Sequence, residues 1–158
     1  HFLPLPWSKE TIDIAVSLAG VHHLDDKRPL FKEIFQVVRP GGKFVLSDVL
    51  EGSAVAYFLD DFVGRNNATG HDGSFLNRGT LATLEESGWR IDSAEVVNFH
   101  WCFSSIEDME DFCTDLFGLR GLRRGEIFQA INTILSVVDR PNGKLGMAWS
   151  LFTIVSER

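Results

Sequence analysis

The hydrophobic pattern of the chain changes period several times, and each change predicts an element. Ile12 to Leu18 reads Ile-Asp-Ile-Ala-Val-Ser-Leu, short, mostly apolar and rich in β-branched residues, the pattern of a buried strand. Leu30, Phe31, Ile34, Phe35 and Val38 then recur at helical spacing. Asp25 or Asp26 is placed to cap that helix, with Pro29 in its first turn. Arg39-Pro40-Gly41-Gly42 should end it, because proline cannot continue the ladder and glycine permits positive φ. Lys43 to Leu50 reads as a second buried strand. Strand, helix and strand joined by short connections form a βαβ unit, which implies parallel strands and a right-handed crossover.

Further along, Val55, Phe58, Leu59, Phe62 and Val63 predict a helix over about 53–63, followed by a polar, glycine-rich loop from Gly64 to Gly73. A helix over about 78–87, closed by Gly88, precedes a strand from Arg90 to Phe99 with Ile91, Val96 and Val97 inside. Ser105 with Asp108 three residues on has the capping-box arrangement, and Ile106, Met109, Phe112, Cys113 and Leu116 should form that helix's buried face. A second helix over about 124–138 uses Ile127, Phe128, Ile131, Ile134, Leu135 and Val138. Arg140-Pro141-Asn142-Gly143 is a turn before a long last strand, Leu145 to Val155. The expected sheet has about four strands, its central ones needing cover on both faces and both edges.

Composition narrows the function classes. The 158 residues fit one domain. Apolar residues make up 44% and charged residues 23%, a globular mix. A formal net charge of -7 argues against a nucleic-acid partner, since no basic surface exists to displace counterions. The one basic cluster, Arg120, Arg123 and Arg124, lies in a glycine-rich turn and reads as a solvated loop. No apolar run reaches the roughly 20 residues of a membrane span, so no membrane partner is expected. The start, His1-Phe2-Leu3-Pro4, lacks the charged and apolar regions of a signal peptide. Cys102 and Cys113 make no disulfide framework; both read as reduced core residues, with a cytoplasmic location as the default.

Certain residues recur in a family order. Leu5-Pro6-Trp7, then Ile12 to Leu18, then Val21-His22-His23-Leu24, Glu33-Ile34, Val38-Arg39-Pro40-Gly41-Gly42 and Lys43 to Asp48 together resemble the ubiquinone/menaquinone-biosynthesis-type methyltransferases. These are class I S-adenosylmethionine-dependent enzymes. The sequence departs from the pattern at Ile12, where an aromatic is usual, and at Val38, which directly precedes Arg39. Gly88-Trp89 resembles, more loosely, the end of the family's helix before strand six. The resemblance implies an α/β fold: a Rossmann-like methyltransferase sheet, truncated at the N-terminus so that it starts near strand four, with a helical insertion over 105–139 before the last strand. Residues 1–158 would be the C-terminal portion of a single methyltransferase domain. The family's glycine-rich loop after strand one and the acid ending strand two, which grip the cofactor, have no counterpart in the sequence, so tight binding of S-adenosylmethionine by this chain alone is not expected.

The resemblance also implies roles. Ser17, Leu18 and Ala19 leave the carboxyl end of strand four, where ligands sit in open α/β sheets, and would face the cofactor S-adenosylmethionine. His22 and His23 would border the cavity, one of them touching substrate or acting as base; the plainer alternative is a hydrogen bond that fixes the loop. Adjacent histidines in a short loop are expected to point apart, so a metal held by His22, His23, Asp25 and Asp26 is disfavoured, and no metal site is assigned. Asp48 either orients substrate or caps the helix near Ser53. Tyr57, Asn66, Asn67, His71 and Asp72 lie where lids often form over substrate. His100 and Trp101 read as core or rim. Met109, Phe112, Phe117 and Phe128 line either core, an acceptor pocket or a subunit contact.

Methyl transfer needs alignment in a dry site more than a fixed catalytic signature. The leading expectation is therefore methyl transfer to a small-molecule acceptor, with this chain as the substrate side of the fold. The alternative is a non-catalytic methyltransferase-like module that binds a partner or self-associates, since an exposed sheet edge favours a homodimer. A nucleotide-dependent dehydrogenase is the weaker third reading.

Overall fold

The computed structural model describes residues 3–158; His1 and Phe2, the start of the segment read above as lacking a leader, lie outside the described residues. The elements in order are β1 (Ile12–Leu18), a 3-10 turn (Val21–His23), α1 (Arg28–Val37), β2 (Val38–Asp48), α2 (Ala54–Tyr57), a π-helical turn (Phe58–Val63), α3 (Gly64–Asn66), α4 (Arg78–Glu86), β3 (Arg90–Phe103), α5 (Ile106–Phe117), α6 (Glu126–Ile134), β4 (Val137–Arg140) and β5 (Lys144–Glu157). The sheet has five strands in the order β1-β2-β5-β3, with β4 also pairing β5. The β1–β2 pair is parallel, as the βαβ pattern requires, and β2–β5 is antiparallel. No described helix is long and apolar enough to cross a membrane.

Contacts divide the chain into two compact units. The first holds residues up to Glu51, then Ser74–Val97 and Leu151–Arg158. Its core is Phe31 and Ile34 of α1, Phe44 and Leu46 of β2, Leu84 of α4, and Trp89. Trp89 donates its indole N–H to the Phe31 carbonyl at 3.1 Å, so its polar edge is paired inside the apolar cluster. Asn77 and Thr80 form a reciprocal capping box at the start of α4. Gly88 closes that helix with φ +103, and a Cβ there would stand 2.8 Å from the Phe35 ring.

Several expectations change in this unit. Asp26 accepts from the Arg28 N–H at 3.0 Å, but the N-cap position itself is Lys27. The segment Arg39 to Gly42 is not a loop between helix and strand. Val38 is already paired with Ile12, and Lys43 is next paired, with Ile14, so the four residues between form a bulge in β2. A side chain at Gly42 would come within 2.6 Å of Val38 and 2.8 Å of the Asp13 carbonyl, which is why the bulge needs glycine. Strand β1 is not fully buried: Ile14, Val16 and Leu18 are 60%, 67% and 67% exposed. It is the outer strand of the sheet, and Ala15, between Ile14 and Val16, packs against the core. Val96 and Val97 are likewise exposed, because β3 is the other outer strand.

The second unit holds Gly52–Gly73 and Asn98–Ser150. The predicted helix over 53–63 begins where expected, with the Ser53 hydroxyl accepting from the Ala56 N–H at 3.1 Å, but it runs on to Asn66 through the π-helical turn. Phe58 is wholly buried, its ring 5.4 Å from Phe62, 5.6 Å from Phe117 and 6.2 Å from Trp149. Ser105 caps α5 by accepting from the Asp108 N–H at 3.0 Å. On α5, Met109 and Cys113 are buried as predicted, whereas Ile106, Phe112 and Leu116 are exposed. Burial, aided by the negative charge of Glu110, pushes the Cys113 thiol up to about 12, which keeps it protonated and inert. Cys102, expected in the core, is exposed on β3.

The helix expected to reach Val138 stops at Ile134. Ser136 has φ +78, and Val137–Arg140 pair antiparallel with Lys144–Met147. Two adjacent β-branched valines are better placed on a pleated strand than on a helix, and the strand count rises to five.

Candidate functional site

Strands β1 and β2 are parallel, so their carboxyl ends lie side by side, the position where open α/β sheets bind ligands. Asp48 ends β2, and it is fully buried. Its two carboxylate oxygens accept from the backbone N–H of Val21 at 2.8 Å, His22 at 3.2 Å and Val49 at 2.7 Å, and pair with His22 Nδ1 at 2.7 Å. It therefore does not cap the helix near Ser53, as one expectation had it; Ser53 does that itself. Asp48 instead nails the 3-10 turn after β1 to the end of β2. The physical reason is topological: the parallel register brings the turn after one strand over the last residue of its neighbour.

Burial alone would push the Asp48 carboxyl up. The hydrogen bond from His22, the backbone donors of Val49 and Val21 and the nearby imidazole outweigh it, holding the group below the usual carboxylate value of 3.8. A depressed carboxylate stabilises the fold at pH above its unfolded value, and the contribution fades as pH falls through the lower folded value. Wild-type stability in urea is thus expected to fall as pH drops below about 4, and the Asp48→Asn protein should show a flatter profile over that range.

His22 is buried, and its ring lies 4.0 Å from that of His23, centroid to centroid, at 46°. The expectation that the two rings point apart is corrected: one tight turn holds both on the same side. The Phe75 ring is 6.0 Å from His22, and the Ser74 N–H donates to the His22 carbonyl at 2.8 Å.

Lys27 completes this arrangement, and nothing in the sequence marked it. Its buried ammonium donates to the carbonyls of Leu24 at 2.8 Å and Ser74 at 2.6 Å and to the Ser74 hydroxyl at 3.0 Å. Burial lowers its pKa, and the charges of Asp48, Asp25 and Asp26 offset that only in part. Lys27 ties the loop bearing the histidines to Ser74. Replacing it with Met should leave buried carbonyls unpaired and lower stability by about 2 kcal/mol, read from the urea midpoint at constant m.

Ser17, Leu18 and Ala19 stand at the mouth of β1 as predicted. Ala19 has φ +48, and its N–H donates to the Ser47 carbonyl at 2.8 Å. The Val21 and His22 amides are held by Asp48, so three donors of this turn, with that of Ala19, are engaged. The Leu18 side chain beside it is exposed. Ser17 also lines an apolar groove of about 410 Å³ with Trp7, Ile14, Val16 and Leu30.

In the second unit, Tyr57 is exposed, and Asn66 and Asn67 donate to the carbonyls of Phe62 and Phe117. His71 pairs through Nδ1 with Asp60 at 2.7 Å. Asp60 was not anticipated; a carboxylate inside a helix gives no sign of such a role until the loop folds back on it. Trp101 packs on Trp149 at 4.9 Å, consistent with a core or rim place.

Residues 1–46 match the family model described as a methyltransferase domain. Over nearly its whole length the chain also superposes on solved structures. BH2331 from Bacillus halodurans C-125, assigned as a methyltransferase, is 19% identical at a TM-score of 0.59, with 97% of this chain and 72% of that one covered. The fold is that of the class I methyltransferases. The S-adenosylmethionine-dependent methyltransferase TM1293 of Thermotoga maritima shares it at 11% identity and a TM-score of 0.54, over 97% of this chain and 59% of that one. So does the [4+2]-cyclase SpnF, at 16% and 0.53, over 98% and 52%. The chain thus spans between 52% and 72% of the length of these three structures. A comparison with curated proteins finds no match.

Proposed function

We propose that the protein takes part in methyl transfer from S-adenosylmethionine to a small organic acceptor, in the manner of the ubiquinone-type branch of the fold. The observation that carries this reading is the Asp48–His22 arrangement at the carboxyl ends of two parallel strands; the methyltransferase model matches residues 1–46, which hold His22 and end just before Asp48. The cofactor would supply an electrophilic methyl group on a sulfonium. The open, left-handed turn at Ala19 and the exposed Leu18 fit a ligand packed against the strand end, and Ser17, Leu18 and Ala19 would hold its methionine part.

His22 and His23 would meet the acceptor. Asp48 meets Nδ1 of His22 at 2.7 Å and so fixes the orientation of the ring. Asp48 thus acts through His22 as a positioning residue rather than as a catalytic one. The two free thiols fit a cytoplasmic location under the same reading.

The test is production of S-adenosylhomocysteine by the purified chain across phenol, catechol, amine and carboxylic acid acceptors. Methyl transfer that falls roughly a hundredfold or more in His22→Ala supports the reading. Absence of product with every acceptor class refutes it. SpnF shows why the assay is needed, because one fold can host a reaction of another class.

A second reading rests on the exposed Ile14, Val16 and Leu18 along the outer strand: a module that self-associates through β1. Sedimentation separates the two readings. A dimer that Val16→Lys makes monomeric, without methyl transfer in either protein, favours the module.

A further inference from the structure

Helix α5 carries a row of residues at four-residue spacing: Asp108, Phe112, Leu116 and, just past the helix end, Arg120. Residues four apart on a helix stand one turn above another on the same face. The row therefore runs acid, apolar, apolar along one ridge, with a base at its carboxyl end. Its two middle members are left in water, Phe112 at 41% exposure and Leu116 at 52%. The Phe112 ring lies 5.2 Å from that of Trp101 and 5.4 Å from that of Phe103, so the apolar patch continues from the helix onto β3. At the end of α5, Gly118 turns the chain with φ +59. The N–H groups of Leu119 and Arg120 then donate to the carbonyls of Thr114 at 3.0 Å and Asn66 at 2.9 Å. These bonds fix the backbone that presents Arg120. Among the described residues, Glu107 and Arg124 form an ion pair beside this ridge, whereas Asp108 and Arg120 take part in none.

We propose that a second copy of this chain covers the ridge, the two α5 helices running antiparallel about a two-fold axis. An axis passing between Phe112 and Leu116 sets each Phe112 against the partner's Leu116 and each Asp108 against the partner's Arg120. The row is thus its own complement, as an isologous contact requires. Two copies of net charge -7 repel at long range, so a contact between them has to supply opposite charges of its own, and this ridge supplies them twice. The antiparallel arrangement also sets the positive amino end of each helix beside the negative carboxyl end of the other. One helix pair covers less than the roughly 1,600 Å² of a standard interface, so a dissociation constant on the order of tens of micromolar is expected. The surface is separate from the exposed strip on β1, and the contact does not depend on the reaction proposed above.

Sedimentation equilibrium of the whole chain, loaded from well below to well above that concentration, reads the association. Asp108→Arg and Arg120→Glu should each weaken the dimer by about tenfold or more, because the symmetry repeats each reversed pair. Mixed together, the two variants should pair with each other about as tightly as wild type. In the mixed dimer each Arg faces an acid again. Leu116→Lys should be monomeric, and it keeps the test open if a charge variant is unstable, since Leu116 is largely in water and the fold does not rest on it. Val16→Lys should leave the association unchanged. A wild-type chain that stays monomeric throughout, folded charge variants that do not pair when mixed, or a dimer lost in Val16→Lys and kept in Leu116→Lys overturns the proposal.

Discussion

Asp48→Ala is expected to cost about 3–5 kcal/mol, enough to leave the protein largely unfolded at moderate urea. The carboxylate is fully buried and serves four donors: three backbone amides and the His22 ring. Removing it strands those donors away from water, at about 1–3 kcal/mol for each one left unpaired. The losses do not simply add, because the turn can relax and admit water, which sets the range given. Asp48→Asn should cost about half as much, since one oxygen still accepts while the other position turns from acceptor to donor against backbone N–H groups. The comparison is made by urea denaturation at pH 7, where the wild-type carboxylate is ionised. A cost below about 1 kcal/mol for Asp48→Ala would mean that the turn over Val21–His23 is held by something else, and the assignment of Asp48 as the clamp would fail.

Phe58→Ala should be as costly, at about 3–5 kcal/mol. Phe58 is the centre of the second unit's aromatic cluster, in contact with Phe62, Phe117 and Trp149, and none of its surface reaches solvent. Truncation there loses both the transfer energy of the ring and its edge-on contacts, which contribute about 0.5–1.5 kcal/mol per pair beyond area burial. Phe58→Leu, which refills most of the volume, should cost about 1–2 kcal/mol. Thermal unfolding followed by near-ultraviolet dichroism reads both variants, because the tryptophans at 101 and 149 report on the same cluster. Equal midpoints for Phe58→Ala and wild type would show that the cluster is not part of the cooperative core. Phe58 also opens the π-turn, so its packing helps explain how a helix carries that irregularity: the buried ring fixes one end while Gly64 relieves the other.

Glu110 shows how tertiary structure reassigns a polar residue that pattern reading leaves on a helix surface. It is buried on α5, and its carboxylate accepts the N–H groups of Gly125 at 2.8 Å and Phe128 at 3.0 Å, capping α6 from the neighbouring helix. The sequence offers no local cap for α6, and the partner lies 15 and 18 residues away. The reverse error occurred at Phe112 and Leu116, where helical spacing placed apolar residues in the core and the fold leaves them exposed. Spacing says which residues share a face, but not how wide a strip the neighbours cover.

The sequence by itself determined the βαβ unit, the helix cap at Ser105, the turn at Pro141-Asn142-Gly143 and the methyltransferase type of the fold. Each of these depends on residues within a few positions of one another or on a run of motifs in fixed order, so local geometry suffices. It also placed Ser17, His22, His23 and Asp48 together, because parallel strands put their carboxyl ends side by side. Only the tertiary structure decided what those residues do. Asp48 became a clamp because a turn 26 and 27 residues earlier brings its amides over the strand end. Lys27 became part of the site because Ser74, 47 residues away, returns to it. Asp60 met His71 because a π-turn and a glycine let the loop close on the helix. The bulge at Arg39–Gly42 and strand β4 belong to the same class, since strand pairing is settled by the partner strand and not by the segment alone.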